Sequence, residues 1–156
     1  TEVHPQGRAW IATLAERLAR GAVFLFDYGF PEAEYYHPQR HMGTVMCHQG
    51  HRADSDPLTA VGDKDITAHV DFTGVALAGQ DAGLHVLGYT SQARFLINCD
   101  LLSKMEQSTQ AQRALAAHLI HEHEMGELFK VVGFAAAGSA PWDALGFREG
   151  DRSHTL

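Results

Sequence analysis

Carboxylates, imidazoles and phenols are the side chains of this chain best suited to chemistry, and they occur in three patterns. The first is Asp27 and Tyr28, which close the apolar run Ala22 to Gly29, AVFLFDYG. Such a run, breaking into an acid and an aromatic, reads as a strand buried on both faces whose carboxyl end carries function, because functional groups in parallel sheets gather at that edge. The second is DKDITAHVDF over 63–72, where Asp65, Thr67, His69 and Asp71 alternate with Ile66, Ala68, Val70 and Phe72. A period of two places the four polar groups on one face of an extended segment, able to line a cleft or to form a solvated edge. The third is histidine itself, with 11 in the chain, of which His37, His41, His48, His51 and His69 fall in 30–71. Their chemistry would be general acid–base catalysis or metal binding.

Several familiar constellations are missing. His37 with His41, and Cys47 or His48 with His51, have ligand-like spacings, but a metal would require groups on long connections to converge. The stretch His118 to Glu124 imitates a zinc-protease helix, yet the residue four beyond His121 is Met125, so it reads as a surface helix end. Ser139 has no nucleophile elbow, and Cys47 and His48, adjacent on a strand, point to opposite faces. Neither G-x-G-x-x-G nor a phosphate-binding P-loop occurs.

The elements that must position these groups follow from periodicity. Trp10, Ile11, Leu14 and Leu18 recur at helical spacing within Pro5 to Arg20, and Gly21 suits a stop. After the strand at Ala22, the stretch 30–71 is rich in His, Pro, Gly, Asp and Tyr and reads as an insertion over the carboxyl edge, with short strands at Gly43 to Cys47 and Ile66 to Val70. Helix is expected over Asp71 to Ala82, strand over Leu84 to Tyr89, helices over Ser91 to Leu102 and Thr109 to Glu122, and strand over Leu128 to Ala137. Trp142, Leu145 and Phe147 are expected to pack back onto the body. The fold class is α/β, the second half of a doubly wound sheet in a single unit over 1–156.

A net charge of -7 argues against nucleic-acid and anionic-membrane partners and leaves proteins or small molecules. Two distant cysteines, no apolar run near the roughly 20 residues that span a bilayer, and no signal-peptide pattern give a cytoplasmic expectation. The chain begins without Met in a helical pattern, which reads as a piece of a longer protein.

Taken together, LFDYGFPEAEYYHPQR, GTVMCHQGHR, DITAHVDF, GYTSQARFL, MGELFKVVGF and GDRSHTL resemble the C-terminal half of the MidA-type family of S-adenosylmethionine-dependent methyltransferases, which includes the mitochondrial complex I assembly arginine methyltransferase. The resemblance implies a class I, Rossmann-like sheet in which Ala22 to Asp27 is the fifth strand, Leu84 to Tyr89 the sixth, and Leu128 to Ala137 an antiparallel seventh between them. It implies S-adenosyl-L-methionine as cofactor, with the glycine-rich loop and acidic residue that hold it lying upstream of Thr1. The fragment alone is then expected to be inactive and to bind the cofactor poorly.

For a protein arginine acceptor, as the resemblance implies, a carboxylate must orient the guanidinium and take up its proton. Asp27, Tyr28, Asp65, His69 and Asp71 are the catalytic candidates, and Tyr36, His37, His48, Arg52, Thr67 and Gln92 the substrate-binding ones. Two other readings stand beside this one: a non-catalytic module docking a respiratory-complex subunit or assembly factor, and a metal-dependent enzyme built on the histidines. A missing fourth strand would leave Ala22 to Asp27 as an apolar edge, and a homodimer through that edge is expected.

Overall fold

A computed structural model describes residues 2–140 and 142–156. Helix α1 (Pro5–Arg17) begins on a proline, whose fixed φ suits a first turn. It is shorter than the expected Pro5 to Arg20, since the backbone leaves helical geometry at Leu18. Strand β1 (Ala22–Phe30) follows, then a four-residue helix α2 (Glu32–Tyr35) and the short strands β2 (Met46–Gln49), β3 (Arg52–Asp54), β4 (Asp65–Thr67) and β5 (Val70–Asp71). Helix α3 (Phe72–Asp81), strand β6 (His85–Ser91), helices α4 (Gln92–Asn98), α5 (Leu101–Glu106) and α6 (Gln110–Ile120), and strand β7 (Phe129–Ala135) complete the body. Single turns at Leu145–Phe147 and Ser153–Thr155 end it.

The main sheet has the order β5, β1, β7, β6. Strands β1 and β5 are parallel, while β7 runs antiparallel to both β1 and β6, so the last strand lies between β1 and β6. One face is covered by α1 and α3, where Ile11, Phe72, Leu84, Tyr89, Val132 and Phe134 form the core with Leu25 packed against them. The other is covered by α4 and the C-terminal segment, through Val131, Ala144, Phe147, Leu87 and Phe95. Strands β2, β3 and β4 form a separate three-stranded sheet that belongs to the insertion.

Three sequence expectations are corrected. Strand β1 is not buried on both faces: Phe24, Phe26 and Tyr28 are 37%, 42% and 46% exposed, because that face is only partly covered by Phe95 and Phe147. Apart from β7 on one side, among the described residues β1 pairs only at Gly29 and Phe30, which leaves the other edge of its first residues without a strand there. The helix expected over Ser91 to Leu102 is two helices, broken where Asp100 adopts a left-handed φ of 67. In the tail, Phe147 and Ala144 are buried, with the Phe147 ring seated on the Gly88 and Gly133 backbones, but Trp142 and Leu145 remain 45% and 48% exposed.

Two close approaches depend on glycine. A Cβ on Gly29 would strike the Val70 carbonyl and the Phe72 ring, so glycine is what lets β5 pair beside β1. A Cβ on Gly133 would lie 2.6 Å from the Phe147 ring, and one on Gly88 would strike the same side chain, so Phe147 is seated on bare backbone. The C-terminal segment is clasped further by backbone: Tyr89 N–H donates to Asp151 Oδ1 at 2.8 Å, Arg152 N–H donates to the Tyr89 carbonyl at 2.6 Å, and the Thr90 hydroxyl donates to the Gly150 carbonyl at 2.7 Å.

Helix α3 starts where the sequence indicated. Asp71 is its N-cap, with Oδ1 accepting from Gly74 N–H at 2.9 Å. Asp71→Ala is expected to lower unfolding free energy by about 1 kcal/mol, measured in urea, since the lost cap leaves a helix donor unpaired. The ion pair Asp71 makes with Arg8, at 3.9 Å to a mostly exposed guanidinium, adds little. A variant as stable as the parent would mean another group caps this helix. No helix among the described residues is long and apolar enough to cross a membrane.

Candidate functional site

The parallel pairing of β1 with β5 brings the end of the first sequence pattern beside the end of the second. Tyr28 and Phe30, two apart on β1, share a face by strand alternation. The His69 ring, immediately before β5, stacks on Phe30 at 5.0 Å with an 18° interplanar angle and meets Tyr28 edge-on at 6.2 Å. Phe129, the cross-strand partner of Tyr28 on β7, extends the row with centroids 4.0 Å apart. The Arg40 guanidinium lies over Phe30, 4.0 Å from its centroid. Asp27 points from the opposite side of β1, and its Oδ1 accepts from Tyr28 N–H at 2.8 Å.

His69 is fixed through its backbone, whose N–H donates to Thr44 Oγ1 at 2.9 Å. Burial lowers the His69 pKa below its ordinary value and the charge of Arg40 lowers it further, against a smaller opposing pull from hydrogen bonding at Thr44 and from the charges of Glu2 and Asp27. Its ring is therefore neutral at neutral pH and able to accept a proton.

Beside this row lies a cleft of about 320 Å³ lined by Tyr35, Tyr36, Val70, Asp71, Arg8 and Glu2 among others. Burial raises the Tyr36 phenol, and the Asp71 charge raises it further. Glu2 closes one end: its carboxylate accepts from Val45 N–H at 2.6 Å and from Thr44 N–H. Burial acts to raise the Glu2 pKa, but these backbone donors outweigh it and the net shift is downward.

The remaining sequence candidates lie elsewhere. The alternating face read from 63–72 does not persist, because Ala68 and His69 separate β4 and β5 into different sheets. Asp65 and Thr67 face His48 and Met46 across β4 and β2, so Asp65, Thr67 and His48 share one exposed face of the small sheet. Arg52 pairs with Gln49 and belongs to the other face, with Cys47 buried on it. His37 Nδ1 accepts from Gln39 N–H at 3.3 Å in an exposed turn. Gln92 is buried, and its Nε2 donates to the Leu119 carbonyl at 2.9 Å, tying α4 to α6. Among the described residues no three His, Cys, Asp or Glu side chains come together to hold a metal. At the surface, His118 Nδ1 lies 2.6 Å from Glu124 Oε2.

Sequence reasoning missed Phe30, Arg40 and Phe129. Ending the strand at Gly29 assigned Phe30 to the insertion, although its spacing of two from Tyr28 was the available signal. It also missed a polar network behind the sheet edge, where Glu127 lies 2.8 Å from Arg152 and 3.2 Å from Lys130. Burial acts to raise the Glu127 pKa, but those two cations outweigh it and hold it low.

An α/β domain with carboxylate, imidazole and aromatic groups at the carboxyl edge of a mixed sheet is the class that fold and site define. Residues 1–90 match the family described as "Putative S-adenosyl-L-methionine-dependent methyltransferase", and the chain belongs to that family. Two crystal structures from Burkholderia thailandensis are similar over nearly its whole length. One, an uncharacterized protein of the COG1565 superfamily, is 46% identical with a TM-score of 0.91, covering 99% of this chain and 42% of its own. The other, a COG1565 superfamily member bound to S-adenosyl-homocysteine, is 45% identical with a TM-score of 0.90, covering 99% of this chain and 41% of its own. The chain thus spans about two fifths of the length of these relatives. A comparison with curated proteins gave no match.

S-adenosyl-L-methionine is the cofactor of this family. The described residues do not by themselves form a cradle for it. The turns after β1 and β6 lead into helices through Pro31 and Ser91, and the spaces left by Gly29, Gly88 and Gly133 are filled by Phe72 and Phe147.

Proposed function

We propose that this chain is the acceptor-side portion of a methyltransferase, that its sheet is the second half of a class I methyltransferase sheet, and that the acceptor is an arginine side chain of a protein. The observation that carries this is the meeting of Tyr28 and His69 with Phe30 at the carboxyl end of β1, with Asp27 next in sequence on the other side of the strand. A guanidinium is planar and weakly hydrated, so it stacks on aromatic rings, and it pairs with a carboxylate that orients it. Tyr28 and Phe30 offer the rings and His69 a neutral nitrogen for the proton the acceptor loses, while Asp27, exposed on the other side of the same strand end, is the carboxylate nearest in sequence. Tyr36 and Asp71 in the adjoining cleft hold the flanking peptide, and His48, Asp65 and Thr67 form an outer polar face for it.

The test uses the longer protein that contains this chain, supplied with cofactor and with paired peptides that differ only in arginine or lysine. Mass spectrometry is expected to find a methyl group on the arginine peptide, dependent on Asp27. Methylation of the lysine peptide alone would sink the acceptor assignment.

A second reading is favoured by the insertion, where Met42, Leu58, Val61 and Ile66 are 72%, 82%, 76% and 58% exposed. Apolar groups so displayed suit docking of a protein partner, including a respiratory-complex assembly partner. Partner capture that survives Asp27→Ala with His69→Ala would favour a non-catalytic module.

The open edge of β1 supports a homodimer of the isolated chain, since unpaired N–H and C=O groups beside Phe24 and Phe26 invite another strand. Sedimentation velocity is expected to report a concentration-dependent dimer. A monomer at the highest concentration reached would exclude that pairing.

A further inference from the structure

The guanidinium already seated at the sheet edge is the chain's own. Arg40 occupies a turn in which its N–H donates to the His37 carbonyl at 2.8 Å and its carbonyl accepts from Gly43 N–H at 2.8 Å. Its side chain is exposed, and among the described residues no ion pair includes it. A solvent-facing arginine gains freedom by leaving the surface unless something holds it. What holds this one is the Phe30 ring, 4.0 Å from the guanidinium carbon.

We infer that the Phe30 ring at the end of β1, flanked by His69 and Tyr28, is a guanidinium-selective binding site, and that Arg40 is its built-in competitor, which an incoming arginine must displace. The inference rests on the arginine-acceptor reading above and adds to it the ring that recognises the acceptor and a residue that restrains access to it.

Selectivity follows from chemistry. A guanidinium stacks flat and sheds its hydration readily, whereas an ammonium is a compact, strongly hydrated charge that loses more when pressed against a ring. His69 is stacked on Phe30 and among the described residues no further ring closes over it, so Phe30 offers a flat ring face rather than a closed cage, which suits a planar cation over a tetrahedral one. The competitor is weak by design of its setting, since a cation–ring contact at an exposed site is readily exchanged. Arg40 also lies in a turn of the insertion just before β2, so its release frees that turn from the sheet edge as the acceptor arrives.

The test is a titration of the 156-residue chain and of Arg40→Ala with two blocked pentapeptides, one centred on arginine and one on lysine. Binding is followed by the NMR signals of the His69 and Tyr28 rings. Arg40→Ala removes an exposed turn residue and leaves the core untouched. It is expected to bind the arginine peptide about two- to fivefold more tightly than the parent, the factor that corresponds to losing one exposed cation–ring competitor. The lysine peptide is expected to gain nothing, and Phe30→Leu in the Arg40→Ala background is expected to abolish the gain. Should that double variant fail to fold by circular dichroism, the arginine–lysine comparison in Arg40→Ala decides alone.

No gain for the arginine peptide, or an equal gain for lysine, would overturn the inference. Because binding is read without cofactor, the two readings separate. A missing gain alongside arginine methylation by the longer protein refutes the Arg40 site alone. A gain without any arginine methylation supports the site and refutes the assigned reaction.

Discussion

Replacing Phe147 by alanine is expected to destabilise the domain by about 3–5 kcal/mol, the range for deleting a buried aromatic that leaves a cavity. The cavity would not collapse easily, because the surfaces that hold the ring are the backbones of Gly88 and Gly133, which have no side chains to move into the space. Phe147 also meets Phe95 edge-on at 5.2 Å and stacks on Phe24 at 6.2 Å, so its loss loosens α4 and the exposed face of β1 together. Thermal unfolding should fall by roughly 10 °C for a chain of this size. A fall of one or two degrees would mean that the C-terminal segment is not part of the cooperative unit. The complementary change, Gly133→Ala, is expected to destabilise from the other side, by pushing a methyl group into the ring and into Phe24.

The second large effect concerns activity. In a longer protein carrying the proposed activity, His69→Ala is expected to lower kcat about a hundredfold, the scale of losing a positioned general base. The pH dependence distinguishes this from a structural loss. Burial and Arg40 lower the His69 pKa, so the ring is neutral, and the base competent, above that lowered pKa and lost as pH falls through it. The parent should therefore keep its rate from neutral pH down to a point below the ordinary histidine value of about 6.5 and then decline. The variant should lack that acid limb. The same shift carries a stability consequence: the unfolded ring binds a proton more readily than the folded one, so this contribution is present above the unfolded pKa and is lost as pH falls through the folded one. An unaltered acid limb in His69→Ala would remove His69 from the proton path, leaving Asp27 as the base to test by Asp27→Asn.

Much of the fold was legible because it rests on local rules. Pro5 at a helix start, Thr109 with Gln112 as a capping box, and Asp71 as the cap of α3 are decided within a few residues, and each element appears close to its expected place. The break at Asp100 was not legible, since a left-handed residue in an otherwise helical pattern is selected by what α4 and α5 must each pack against. Nor was the end of β1, because Gly29 looks like a stop and is instead the place where β5 comes close enough to pair.

For the candidate site, the sequence by itself determined the residue types: an acid and a phenol ending an apolar strand, and a histidine in the segment that returns to it. It also carried the six ordered blocks that mark the methyltransferase family, because such blocks are a property of order and identity alone. Only the tertiary structure decided which of them meet. Parallel pairing at Gly29–Val70 and Phe30–Asp71 is a long-range contact that no local pattern encodes. That register carries His69 onto Phe30, while Asp65 and Thr67 remain with His48 on the outer sheet and Gln92 turns inward to Leu119. The seat of Arg40 on Phe30 has the same origin: ten residues apart with no common periodicity, the two meet only because the insertion folds back over the edge of the sheet.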